Sequence, residues 1–71
     1  MATAFGETLA LFRRRAGTKQ SDLARAVGWA NASTVSRVEA GQIAIDAGTA
    51  DRLCAALGLA PEERTALLNA S

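Results

Sequence analysis

The chain contains no histidine and no tyrosine, and it holds one cysteine, one proline and one tryptophan. Without histidine, a Cys-His nucleophilic pair and the common zinc sites are excluded. The lone Cys54 has no partner for an internal disulfide, which fits a reducing compartment. It falls on the apolar face of a helical segment and reads as a small core residue, not as a nucleophile. No apolar run approaches the roughly 18 residues of a membrane span. The N-terminus also lacks a basic stretch followed by a long apolar run. A cytoplasmic protein without a membrane partner is therefore expected. Carboxylates are scattered singly except for Glu62 and Glu63, which open a helix and suit its dipole. No cluster points to an enzyme, a metal, a cofactor or a small-molecule ligand.

What is present favours one small helical unit. The 71 residues suffice for a single domain spanning 1–71 and are too few for two. Hydrophobic residues make up 49%, which argues against disorder. Alanine dominates them, so few large side chains are left to build the core. Phe5, Leu9, Phe12, Leu23, Val27, Val35, Val38, Leu53 and Leu57 are the candidates. The net charge of +1 conceals an asymmetry. Residues 1–37 carry Arg13, Arg14, Arg15, Lys19, Arg25 and Arg37 against Glu7 and Asp22, a net +4. Residues 38–71 carry Arg52 and Arg64 against Glu39, Asp46, Asp51, Glu62 and Glu63, a net −3. A basic half is the footprint of a polyanion binder, although ordinary solvated charge would look the same in composition.

Apolar spacing predicts five helices and no strand. The first runs from residue 3 to about 16, with Phe5, Leu9 and Phe12 on one face and Gly17 as its stop. The second covers about 19–27, with Leu23, Ala24 and Val27 inward and Gly28 closing it. The third begins after Asn31, a good N-cap, and reaches about Ala40, with Gly41 behind it. The fourth spans about 46–57 and ends at Gly58. The fifth opens with Pro61 at its first position. Short connections imply a compact all-α bundle.

The second and third segments carry the functional signal. Gly28 can take the positive φ that a tight reversal needs. Leu23, Ala24, Val27, Val35 and Val38 then face each other, and small Ala24 permits a close crossing. Ala32, Ser33, Ser36 and Arg37 are left outside on the third helix. Small side chains let a helix approach base edges, and an arginine can bond guanine in bidentate fashion. A helix inserted into the major groove of DNA is the reading this favours over a solvated bundle. Trp29, in the turn, reads as a hydrophobic plug more readily than as a base-stacking aromatic.

These residues make the chain similar to the Cro/repressor-type, or XRE-like, helix-turn-helix domains. Leu9, Phe12, Arg13 and Gly17 match the first helix and its end, and Gln20, Leu23, Ala24 and Gly28 match the second. Val35, Ser36, Arg37, Val38, Glu39 and Gly41 match the third, and Ala50, Leu53, Ala56, Leu57 and Leu59 the fourth. The likeness covers roughly residues 5–69. It implies an all-α, five-helix bundle of the lambda-repressor-like type that binds double-stranded DNA. It further implies that Ala32, Ser33 and Arg37 face the bases. The likeness implies that Gln20 anchors a phosphate at a helix N-terminus, which suits an anion physically as well. Thr34 and Ser36 are candidate phosphate or base contacts, and Lys19, Gln42, Arg14 and Arg15 candidate phosphate contacts. Arg13 and Glu39 match a pair that forms a structural salt bridge between the first and third helices.

The chain departs from the family pattern in three places. Six residues separate Gly28 from Val35, one more than is common, which lengthens the turn at Trp29-Ala30-Asn31. The segment Gln42-Ile43-Ala44-Ile45-Asp46 lacks the basic residues and proline often found there. The third helix offers few long polar side chains, so direct readout rests on Arg37. A monomer with so few phosphate contacts would bind weakly. The expected regulator, a repressor of bacterial or phage type, is therefore a homodimer reading two half-sites about 34 Å apart. The fifth helix, through Leu67 and Leu68, is the candidate dimer contact, unless the chain is one domain of something longer. The alternative is a protein-interaction module on the same fold that binds another regulator.

Overall fold

Phe5, Leu9 and Phe12 recur at helical intervals, and in the computed structural model they form the buried stripe of α1 (Ala4–Arg15). The structure describes residues 4–70. Four helices follow: α2 (Gln20–Ala26), α3 (Ala32–Glu39), α4 (Ala47–Leu57) and α5 (Pro61–Asn69). Among the described residues there is no strand. The expected bounds hold to within one residue where they can be compared, and the expected first residue of α1 lies outside the described residues.

Local chemistry sets the helix starts. Asn31 is extended and its Oδ1 accepts the Ser33 N–H at 3.0 Å, which satisfies one of the donors a helix start leaves open. Asp46 does the same for α4, with its Oδ1 2.7 Å from the Thr49 nitrogen. This places Asp46 outside the helix that the spacing had opened there. α5 begins at Pro61, whose missing N–H costs nothing in the first turn. The residue before it, Ala60, has no side-chain acceptor. Glu63 compensates by accepting the Ala60 N–H at 2.9 Å, a specific role beyond its favourable place in the dipole field.

Helix α3 is held by two neighbours. It packs against α1 and α2, while α4 covers α2, and α5 folds back over α1 and α4. All nine expected core residues are buried. Ala10, Ala24, Ala50, Cys54 and Leu67 join them. Each fully buried leucine contributes roughly 1.5–3 kcal/mol relative to exposure, and Leu9, Leu23, Leu53 and Leu67 are the largest fully enclosed side chains of a core that also holds Phe5 and Phe12. Leu67 requires a correction. It is fully enclosed within its own chain and cannot serve as a dimer contact, because α5 turns this face onto α1 and α4. Leu68 remains half-buried at a cleft edge.

Helix α1 meets the end of α3 backbone to backbone. A Cβ added at Gly6 would lie 2.4 Å from the Glu39 carbonyl oxygen and 2.7 Å from that of Val38. An isolated glycine in a helical pattern was the only sequence signal for this approach. Gly6→Ala is expected to destabilise the fold by about 1–3 kcal/mol in urea unfolding, since two helices must part. A change below about 0.5 kcal/mol would refute the contact.

The Asp46 cap has a pH signature. Hydrogen bonds from Thr49 hold its carboxyl below the ordinary value of 3.8. A depressed folded-state value means that the cap contributes fully above the ordinary carboxylate range and is lost as pH falls through the folded value. Asp46→Asn keeps an acceptor but cannot titrate there. Its thermal melts between about pH 5 and pH 1 should lose stability less steeply than those of the wild type. Superimposable profiles would remove Asp46 from the acid response.

Candidate nucleic-acid interface

Helix α2 ends where Gly28 takes a φ of 82°, a left-handed conformation that glycine adopts without strain. The Trp29 N–H then bonds back to the Ala24 carbonyl at 2.8 Å, and the Trp29 ring packs, half-buried, against the core. Five residues, Val27 to Asn31, connect α2 to α3. The start of this turn receives a bond from outside the α2–α3 unit. Nη2 of Arg52, on α4, donates to the Val27 carbonyl at 2.5 Å. Nothing in the sequence marked Arg52 for this, because an arginine on a solvated helix face is the commonest kind of surface residue.

Helix α3 divides cleanly. Val35 and Val38 are buried, whereas Ser33, Ser36 and Arg37 form an exposed stripe at the three- and four-residue spacing of one helix face. Ala32 and Thr34 are half-buried at its edges. Among the described residues, the side chains of Ser33, Ser36 and Arg37 make no hydrogen bond or ion pair within the chain. Gln42 follows in an exposed segment, with its N–H bonded to the Arg37 carbonyl at 2.9 Å.

The far end of α3 is tied to the basic corner of the molecule. Arg13 Nε lies 2.6 Å from Glu39 Oε2 and its Nη2 lies 3.3 Å from Oε1. Its Nη1 donates to the Thr18 carbonyl at 3.0 Å. Gln20 joins them, its Nε2 donating to Glu39 Oε1 at 2.9 Å. The side chains of Arg13 and Glu39 are only 12% and 8% exposed, so this is a shielded network and not a surface pair. Gln20 is therefore half-buried and bonded inward, whereas Lys19 before it is exposed. Arg14 and Arg15 are exposed on the last turn of α1, and the Arg15 guanidinium stands 6.0 Å from the Phe12 ring centre. Arg25 is exposed, 3.9 Å from Asp22.

The remaining features lie on α4, α5 and the segment that follows α3. Arg64 of α5 pairs with Asp51 of α4. Burial pushes the Cys54 thiol up, with the nearby Arg64 acting against it, so the group stays neutral and uncharged at ordinary pH. No group of three or more His, Cys, Asp or Glu among the described residues could hold a metal ion. No described helix is long and apolar enough to cross a membrane. An apolar cleft of about 450 Å³ opens beside the segment that follows α3, lined by Phe5, Ile43, Ile45, Ala50 and Leu68 among others.

Two short helices joined by a glycine turn, the second buried on one face and bare on the other, define a helix-turn-helix unit. The helix-turn-helix domain profile matches residues 4–67, and the chain belongs to that family, with the five-helix pattern of its XRE-like members. Its function class is DNA-binding transcription regulation. The fold is similar to the crystal structure of the restriction-modification controller protein C.AhdI from Aeromonas hydrophila. The two share 33% identity at a TM-score of 0.74, over 84% of this chain and 86% of the other. No curated protein matches the sequence.

The Arg13–Glu39 network predicts a strongly non-additive response. Removing one member strands a shielded charge, so Glu39→Ala is expected to cost about 3 kcal/mol. In a double-mutant cycle, Arg13→Ala with Glu39→Ala together should cost less than the sum of the two alone. Additive losses in chemical denaturation would show that the pair contributes no coupling.

Proposed function

We propose that the chain, acting as one helix-turn-helix unit, is a sequence-specific repressor that places α3 in the major groove of double-stranded DNA. The observation that carries this reading is the bare stripe of Ser33, Ser36 and Arg37 on α3, in a chain whose α1 end and α2 start expose Arg14, Arg15 and Lys19. A side chain with no role inside the fold is free to meet a base edge. Arg37 is the principal base-reading residue, with Ala32 and Ser33 at the start of the helix. Lys19, Arg14, Arg15, Thr34, Ser36 and Gln42 meet phosphates, which orient the helix without reading sequence. Gln20 contributes through whatever donor capacity its bond to Glu39 leaves. The net positive charge of residues 1–37 draws the duplex in.

A second copy of the chain completes the site. With Leu67 enclosed, the apolar cleft is the better contact. Ile43 stands 36% exposed on it, and Leu68 borders it. The segment that lines the cleft continues directly from α3, so a twofold contact there would link the two reading helices. The likeness to a restriction-modification controller supports a role in controlling transcription, and no catalytic role is assigned. Such a protein works where the DNA is, in the cytoplasm of a bacterial or phage-infected cell.

Selection of binding sites from a random duplex pool at moderate salt tests the reading. An enriched inverted repeat with half-sites about one helical turn apart is expected. No enrichment by folded protein would favour a module that binds another regulator. On the selected site, Arg37→Ala should cost about 1–3 kcal/mol and relax preference at one position, while Lys19→Ala should weaken all sequences alike and lower the salt slope. Equal losses on every sequence from Arg37→Ala would remove its base-reading role.

A further inference from the structure

We propose that Arg52 is a positioning residue for sequence recognition, fixing from α4 the start of the α2–α3 turn and hence the angle at which α3 is presented. The proposal rests on the DNA-binding reading of α3. The end of the five-residue turn is held by the Asn31 cap and its middle by the Trp29 N–H and ring. Both of those contacts are local or to the core beneath. The beginning is held across the molecule, by Nη2 of Arg52 at 2.5 Å from the Val27 carbonyl. The same nitrogen would lie 3.5 Å from a Cβ placed on Gly28, so the guanidinium stands directly over the left-handed residue.

The chemistry suits this role. The carbonyls at a helix C-terminus lack intrahelical donors and carry the negative end of its dipole, so a cation that donates there is favoured twice. The neighbouring Leu53 is fully buried, which anchors the backbone from which Arg52 reaches. Arg52 itself is exposed, so removing its side chain opens no hole in the core. Hydrogen bonds to base edges weaken steeply with angle and distance. Long basic side chains on phosphates tolerate a tilt that the base contacts do not. A loosened turn should therefore lower discrimination while sparing general affinity for DNA.

The test compares the full chain with Arg52→Ala and Arg52→Lys. Amide hydrogen exchange without DNA is read at Gly28 to Ala32. Affinity is read for the selected operator and for a scrambled duplex of equal length, well below the melting temperature of each variant. Arg52→Ala is expected to exchange faster at the turn with α1 and α5 amides unchanged. Its ratio of operator to scrambled affinity should fall by about tenfold, the size of one lost base contact. Arg52→Lys, which keeps the charge and a donor, should recover part of that ratio. Unchanged exchange in Arg52→Ala overturns the brace whatever the DNA result. An unchanged ratio, or equal losses on both duplexes, overturns the recognition role. Absence of any preferred duplex for the wild type would remove the DNA-binding reading and the recognition role with it.

Discussion

The guanidinium of Arg13, the carboxylate of Glu39 and the amide of Gln20 meet where the last turn of α1, the first turn of α2 and the last turn of α3 converge. Charges taken this far from water repay their desolvation only when geometry is good and the remaining donors are used. Here Arg13 engages both carboxylate oxygens and gives its third nitrogen to the Thr18 carbonyl. A hydrophobic contact in the same place would tolerate sliding, whereas this one has a single register. Gly6 adds a second constraint along the same α1–α3 crossing, since the two backbones approach with no side chain between them. The end of α3 is thus clamped by direction and by distance, and the small core can afford little error elsewhere.

Fixing α3 at that end leaves its exposed face with nothing to do for stability. Val35 and Val38 supply its burial, Asn31 its start and Glu39 its tether. Ser33, Ser36 and Arg37 are spared. The division explains how so short a helix can be both central to the fold and open to a ligand. Through the same network Arg13 and Gln20 tie the end of α1 and the start of α2 to the end of α3.

Most of the fold was legible in the sequence because its signals are local. Apolar side chains at helical spacing, Asn31 before a polar-apolar run and Pro61 ahead of two glutamates each act within a turn of their own position. The bare stripe of α3 was legible for the same reason. Two misses were local, Asp46 as a cap and Glu63 bonding back to Ala60; the larger ones are contacts between distant segments. Gly6 touches α3, Arg52 reaches the α2–α3 turn, and Gln20 bonds Glu39, each across 19 or more positions. Leu67 was misplaced because its neighbours in α5 give no clear apolar stripe, so only the packing of α5 on α1 and α4 decides its side. A single residue type carries no address for a tertiary partner.

The separation of duties on α3 bears on how such a protein can change its target. Positions on the bare stripe can mutate with little penalty in folding, because their side chains make no hydrogen bond or ion pair among the described residues. New binding preferences can therefore be sampled one substitution at a time while the scaffold stays as it is. The same freedom makes the stripe a natural place for substitution: Ser33, Ser36 and Arg37 can be exchanged as a set while the burial of Val35 and Val38 and the tether at Glu39 stay in place.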